Sequence, residues 1–289
     1  MPNIITAGNL FPAHVVSEIY SKVRGHSTLA KLGHQMAVPF SGADIFTFSL
    51  DSEVSIVGEN APKPAGEATV ATVSVHPLKI VHQSRLTHEF LYASEDARVD
   101  MLTEFADGFA KKIASGLDLM AMHGVNPATL TASEKIGTNH LDATDIQTVT
   151  KTDDPEADLT AALAKLGDID ATGYAMSKVF AADMGTLKVN GVPQYPEFKL
   201  GGNPGTLAGI ACDVNSTVNR TGTSLAYVGD FANAFRWGYA ANIPMEIIEY
   251  GDPDGKGDLK ANNAVCVRAE AFVGWAILDR NAFVRVVAD

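Results

Sequence analysis

Asp44-Ile45-Phe46-Thr47-Phe48-Ser49-Leu50 alternates apolar and polar side chains, which puts Phe46, Phe48 and Leu50 on one face of a strand and Thr47 and Ser49 on the other. The strand pattern extends over 44–58, and a second Thr- and Val-rich stretch, 68–83, reads the same way. Between them Glu59-Asn60-Ala61-Pro62-Lys63-Pro64-Ala65-Gly66-Glu67 has the composition of a loop. The whole predicts a β-hairpin whose arms, about 15 residues each, reach roughly 50 Å at ~3.3 Å per residue. A two-stranded ribbon of that length is not stable alone in water, so it is expected to lie on another subunit.

The next segment outward is a helix over 94–123. Ser94 is placed to cap it, Glu95 and Asp96 suit the positive end of the helix dipole, and His123-Gly124 ends it with Pro127 just beyond. Leu102, Phe105, Ala106, Phe109, Ile113, Leu117 and Met120 form one apolar stripe. Gly108 and Gly116 interrupt it, either to allow close packing or as tolerated defects. Before the hairpin, residues 12–24 are expected to be helical, with a short amphipathic turn at Thr28–Leu32. After the long helix come a helix over 155–166, a strand over 173–176, a helix starting near Ser177 and a turn-rich stretch from Asn190 to Gly209. Strands near 207–214 and 224–229 precede a short segment around Phe231–Trp237. Residues 243–250 and 259–277 alternate like sheet around the turn Asp252-Pro253-Asp254-Gly255-Lys256-Gly257, and a last strand runs over Phe283–Val287.

Composition bounds the function. The chain has 289 residues, 46% apolar and 19% charged, which is globular rather than disordered. Its 22 basic against 34 acidic residues give −12, which argues against wrapping nucleic acid as the main role. Two cysteines cannot make a disulfide framework, and no apolar run is long enough to span a membrane. The N-terminus has neither the basic nor the apolar region of a secretion signal.

Chemical motifs are weak. His76, His82 and His88 are evenly spaced, but six residues of strand span ~20 Å, so they cannot share one ion within one chain. Asp252-Pro253-Asp254-Gly255-Lys256-Gly257-Asp258 echoes a calcium loop but lacks the third ligand before the glycine and the closing glutamate. Gly201-Gly202-Asn203-Pro204-Gly205 lacks a phosphate-binding frame, and neither Cys212 nor Cys266 has a motif-level histidine. No metal and no cofactor is expected, and an ordinary small-molecule enzyme is a remote reading.

The order of elements resembles the HK97-like major capsid protein of tailed bacteriophages over nearly the whole chain. Gly58-Glu59-Asn60-Ala61-Pro62-Lys63-Pro64 is similar to the tip of that family's E-loop, and 94–123 to its spine helix. Gly173-Tyr174-Ala175-Met176-Ser177, Leu207-Ala208-Gly209-Ile210 and Val228-Gly229-Asp230-Phe231 resemble its A-domain elements, although Ala211 stands where the family often has proline. Asn262-Asn263-Ala264-Val265-Cys266-Val267-Arg268-Ala269-Glu270 through Ala282-Phe283-Val284 resembles its closing pattern.

The resemblance implies an α+β fold in four parts. These are an N-terminal arm and first helix (1–40), an E-loop hairpin (41–90), a discontinuous P-domain (91–128 and 241–277) and a mixed α/β A-domain (129–240 and 278–289). It implies a structural protein of the virion, made in the bacterial host cytoplasm, that self-assembles into hexamers and pentamers of an icosahedral shell. DNA would be enclosed without specific binding, which net −12 suits, and no membrane is involved. No long charged helical segment precedes residue 10, so any scaffold is either a separate protein or a segment cut away; Met1 favours the separate protein, with portal and decoration proteins as further partners. The resemblance also carries a crosslinking set, Lys63 with Asn263 and Glu270, contributed by different subunits. The rival reading within the same fold is an encapsulin-type nanocompartment that encloses a cargo enzyme.

Overall fold

The computed structural model describes residue 23 and residues 25–50, 52–59, 61–92, 95–240 and 245–289. The expected N-terminal arm, the first helix at 12–24 apart from its end, and the cap at Ser94 lie outside the described residues. Two sheets and one long helix make the body. The first sheet is built on a 14-residue strand, β14 (Ala264–Ile277), whose residues are buried on both faces along most of its length. β4 (Leu78–Thr87) runs antiparallel to residues 264–273 on one side of it. On the other side β13 (Met245–Ile248) pairs with 266–269 and β12 (Phe235–Tyr239) with 273–277. β1 (His34–Gln35) extends the sheet beyond β12 in parallel.

The long helix Glu95–His123 lies on this sheet. Its stripe is buried as the spacing predicts: Ala106, Phe109, Ile113, Leu117 and Met120 pack with Ala269, Ala271, Val273 and Trp275. Leu102 forms a smaller cluster with Val265 and Val267, and Phe105 is only partly buried, at the seam between the two clusters. Gly124, with φ +68, ends the helix. A Cβ on Gly108 would meet nothing within 4 Å, and one on Gly116 only Pro127 at 3.6 Å, so neither glycine is required by close packing within the chain.

The second sheet has the order β5 (Gln147–Thr150), β15 (Phe283–Val287), β11 (Ser224–Gly229), β6 (Gly173–Met176), β10 (Ile210–Val214) and β9 (Thr206–Leu207). The helix Pro155–Leu166 covers it. That helix is started by Asp154, whose carboxylate accepts from the N–H groups of Glu156 and Ala157, and by Pro155 in the first turn. The helix Lys178–Thr186 is capped by Ser177, which accepts from the Phe180 N–H. Leu159, Phe180, Met184, Phe198, Val228 and Val284 belong to the core that these elements enclose.

Two sequence expectations are corrected. The hairpin arms are not about 15 residues each: β2 (Ala43–Leu50) pairs with β3 (Ala68–Val75), eight residues a side, or ~26 Å. The described residues from 52 to 67 are not paired as strand. The single strand read over 68–83 is two strands. Pro77 has no N–H to give a ladder and interrupts it, and the chain then leaves the ribbon and enters the first sheet as β4. Phe231–Trp237 is one helical turn, Phe231–Ala234, followed by β12, and β5 was not anticipated.

Candidate functional site

The ribbon of β2 and β3 presents an apolar face to solvent. Phe46, Phe48 and Leu50 are opposite Thr72, Val70 and Ala68, so these six side chains share one side of the pleat. Phe46 is 73% exposed and Leu50 75% exposed. At the base, Ile45 and Val73 turn to the other face and pack against Val38, Val75 and Ala276, which fixes the direction in which the ribbon leaves the body. Beyond the strands, the Ser52 hydroxyl accepts from the Glu67 N–H at 2.7 Å and draws the two sides of the loop together. Val54 and Ile56 are fully exposed there. Contiguous apolar surface of this kind marks a surface that is covered by a partner.

Lys63 is exposed in this loop, between Pro62 and Pro64. Asn263 sits just before β14 with φ +48, and its side-chain amide donates to Glu89 at 3.0 Å. Glu270 lies within β14 and pairs with Lys79 at 2.7 Å. Within one chain Asn263 and Glu270 therefore have separate partners and do not meet.

The Asp- and Gly-rich turn after β13 holds a cation of its own. The Arg85 guanidinium on β4 forms a bidentate pair with Asp254 and donates to the carbonyls of Lys256 and Gly257, while Gln83 donates to the carbonyl of Pro253. The hydrogen bond and charge of Asp254 outweigh partial desolvation and raise the Arg85 pKa. Oxygens that resemble a calcium set in the sequence are thus aimed at a side chain. His82 stacks on Phe105 and Phe109, and His88 lies against Tyr92 with the two rings tilted. Among the described residues no group of three His, Cys, Asp or Glu could hold a metal ion, and no helix is long and apolar enough to cross a membrane.

Two carboxylates, one buried and one partly buried, join the long helix to its surroundings. Asp118 is fully buried. It accepts from the Ser27 hydroxyl at 2.6 Å, the N–H groups of Thr28 and Leu29 at 3.0 and 3.1 Å, and the Thr217 hydroxyl at 2.9 Å. Burial pushes its pKa up to about 6 against those hydrogen bonds. Asp142 accepts from Tyr227 at 2.7 Å and Ser224 at 2.5 Å, with Arg285 at 3.3 Å and the buried His123 ring at 2.7 Å. Burial would raise its pKa, but the hydrogen bonds of His123, Ser224 and Tyr227 and the His123 charge bring it down to about 2. Neither acid was singled out from the sequence. The available signal was an aspartate at 118 inside the otherwise apolar run Leu117–Met122.

A two-sheet body that projects an exposed apolar ribbon presents a surface for a partner. The comparisons agree. The model of the phage capsid family matches residues 7–288, and the chain belongs to that family. A solved structure from Mycobacterium phage Ogopogo is 32% identical, with a TM-score of 0.76 over 91% of this chain and 92% of that one. One from Gordonia phage Cozz is 23% identical, with a TM-score of 0.73 over 91% and 87%. The capsid of a native GTA particle is 15% identical, with a TM-score of 0.63 over 90% and 89%; the last two likenesses speak for the fold alone. No curated protein matches the sequence. The fold is the HK97-like capsid fold, and the chain is a major capsid structural protein, a non-enzymatic virion component that associates with itself into a shell.

Proposed function

We propose that the shell is icosahedral, built from hexamers and pentamers of this chain, and that it encloses phage DNA without gripping any sequence. The observation that carries this reading is the exposed apolar face of Phe46, Phe48, Leu50 and Val70 on a ribbon that leaves its own body. A neighbouring copy is the partner that covers it. Net −12 suits a wall that contains packed DNA without binding it. Synthesis takes place in the bacterial host cytoplasm, and a separate scaffolding protein, a portal and decoration proteins complete the particle. The four-part division read from the sequence serves this assembly, and β4, inside its hairpin part, and β12, inside its A-domain part, both pair with β14 of the P-domain. Negative-stain electron microscopy of the purified protein tests the reading. Closed shells with six- and five-fold clusters are expected, and a discrete small oligomer at every concentration contradicts it.

The reading includes a covalent arm. Lys63 of one copy attacks the side-chain carbonyl carbon of Asn263 of a second. The new C–N bond replaces the C–NH2 bond, ammonia leaves, and Glu270 of a third copy takes up the proton. Support comes from the exposure of Lys63 between two prolines and of Asn263 at a left-handed turn. Seven residues along an extended chain put Asn263 and Glu270 ~23 Å apart, so different copies must supply them. Glu270 must also open or share its pair with Lys79. Boiled particles on a denaturing gel decide the matter: a ladder of multimers that disappears in Lys63→Ala is expected, and a single monomer band from the unmodified protein refutes the bond.

A further inference from the structure

We propose that Asp254–Gly255 is a latent site of spontaneous isoaspartate formation, and that the Arg85 guanidinium keeps it closed. Aspartate followed by glycine is open to this rearrangement because glycine has no side chain to crowd the ring that must form. The Gly255 nitrogen attacks the side-chain carboxyl carbon of Asp254. A C–N bond forms, the nitrogen gives up its proton, the carboxyl C–O bond breaks and water leaves, which closes a succinimide. Water then opens the ring at either carbonyl. One opening restores aspartate, and the other routes the backbone through the side-chain carbon as isoaspartate, with no net change in composition.

The chain has two Asp–Gly pairs. Asp107–Gly108 lies inside the helix Glu95–His123, whose regular backbone hydrogen bonding holds the peptide away from ring closure. Asp254–Gly255 has no such shelter: it lies in the turn after β13, with Gly255 exposed at φ +70. What holds it comes from β4. Arg85 Nε donates to one Asp254 oxygen at 3.1 Å and Nη2 to the other. The carbonyls of Lys256 and Gly257 accept from the same guanidinium at 3.4 and 2.8 Å. Gln83, also on β4, donates to the Pro253 carbonyl at 2.9 Å, and its own oxygen accepts from Arg268 at 3.1 Å. The turn is therefore gripped on both sides of the Asp254–Gly255 bond by a strand that is paired to β14 along its length.

Ring closure needs the carboxyl carbon brought against the Gly255 nitrogen and a proton on the oxygen that leaves. A carboxylate held through both oxygens by one cation resists each requirement. Turning it toward its own backbone breaks two charged hydrogen bonds, and protonating it displaces a donor. The Arg85 hydrogen bonds and charge outweigh partial desolvation and keep the Asp254 pKa low. A subunit in a closed shell is not renewed, so a lesion that accumulates with time is worth guarding against. The chemistry itself is independent of how copies assemble.

Arg85→Ala and Arg85→Lys, which keeps the charge but not the planar fork, are aged at mildly acid pH beside the unmodified full-length protein. Unmodified protein unfolded in denaturant gives the unguarded rate. Isoaspartate at 254 and at 107 is read from proteolytic peptides by chromatography with electron-transfer fragmentation. The expected result is slow isomerisation at 254 in the folded unmodified protein, about tenfold or more faster in Arg85→Ala and intermediate in Arg85→Lys, with 107 unchanged in every folded sample. Isomerisation at 254 as fast in the folded unmodified protein as in the unfolded chain overturns the proposal, and so does the unmodified rate in both variants. A rise at 107 in Arg85→Ala marks unfolding of that variant. Arg85→Lys then decides alone: a rate at 254 above the unmodified protein's supports the guard, and an equal rate overturns it.

Discussion

Asp118 and Asp142 hold the subunit together at its joints, and each gives a measurable consequence. Asp118 takes two side-chain and two backbone donors in a site without water access. Asp118→Ala leaves them unpaired, at about 1–3 kcal/mol for each buried donor. The variant should unfold well below the wild-type temperature or fail to accumulate as soluble subunit; an unchanged midpoint would show that the short helix Thr28–Leu32 does not depend on it. Asp142 is depressed from 3.8 to about 2. A depressed acid adds stability above its ordinary pKa and loses it as pH falls through the folded value. The subunit should therefore lose about 2 kcal/mol between pH 4 and pH 2 from this group. Chemical denaturation across that window should show the loss in wild type and a flatter profile in Asp142→Asn. Arg85 offers a third test. Arg85→Ala removes the cation that the 252–257 turn encloses, and limited proteolysis should then cut that turn faster than in wild type.

The elements differ in how plainly they were written. The long helix was legible nearly to the residue, because one stripe at helical spacing over about eight turns has no competing reading. Phe109 on that stripe is 2% exposed, and Phe109→Ala should cost about 3–5 kcal/mol. Phe105→Ala should cost less, and Lys111→Ala or Lys112→Ala, both exposed, should stay within about 0.5 kcal/mol. Gly108→Ala should raise stability by about 0.5–1 kcal/mol, since a methyl there meets nothing. The hairpin was legible as a pair of strands but not in extent. Thr and Val continue through 68–83, so composition alone cannot show that Pro77 hands the chain from one sheet to another. The site was less legible than the fold. The apolar face of Phe46, Phe48 and Leu50 was visible as alternation. Asp118, Asp142 and Arg85 act through partners up to 172 residues away in sequence, which no local pattern announces.

At the scale of the whole molecule the central claim is a division of labour: the two-sheet body folds by itself, and the ribbon exists for the neighbour. The main core holds the long helix, Trp237 and Trp275 without any residue of the ribbon strands. The ribbon's own ties to the body are at its base, through Ile45, Val73 and Val75. Removing Thr47–Ala71 and joining Phe46 to Thr72 through Asn-Gly keeps that base and closes it with a two-residue turn suited to a hairpin. The most direct measurement is light scattering of this shortened chain beside wild type, with circular dichroism to confirm folding. A folded, soluble subunit that stays small at concentrations where wild type forms shells is expected. A shortened chain that still closes shells at the wild-type concentration would contradict it.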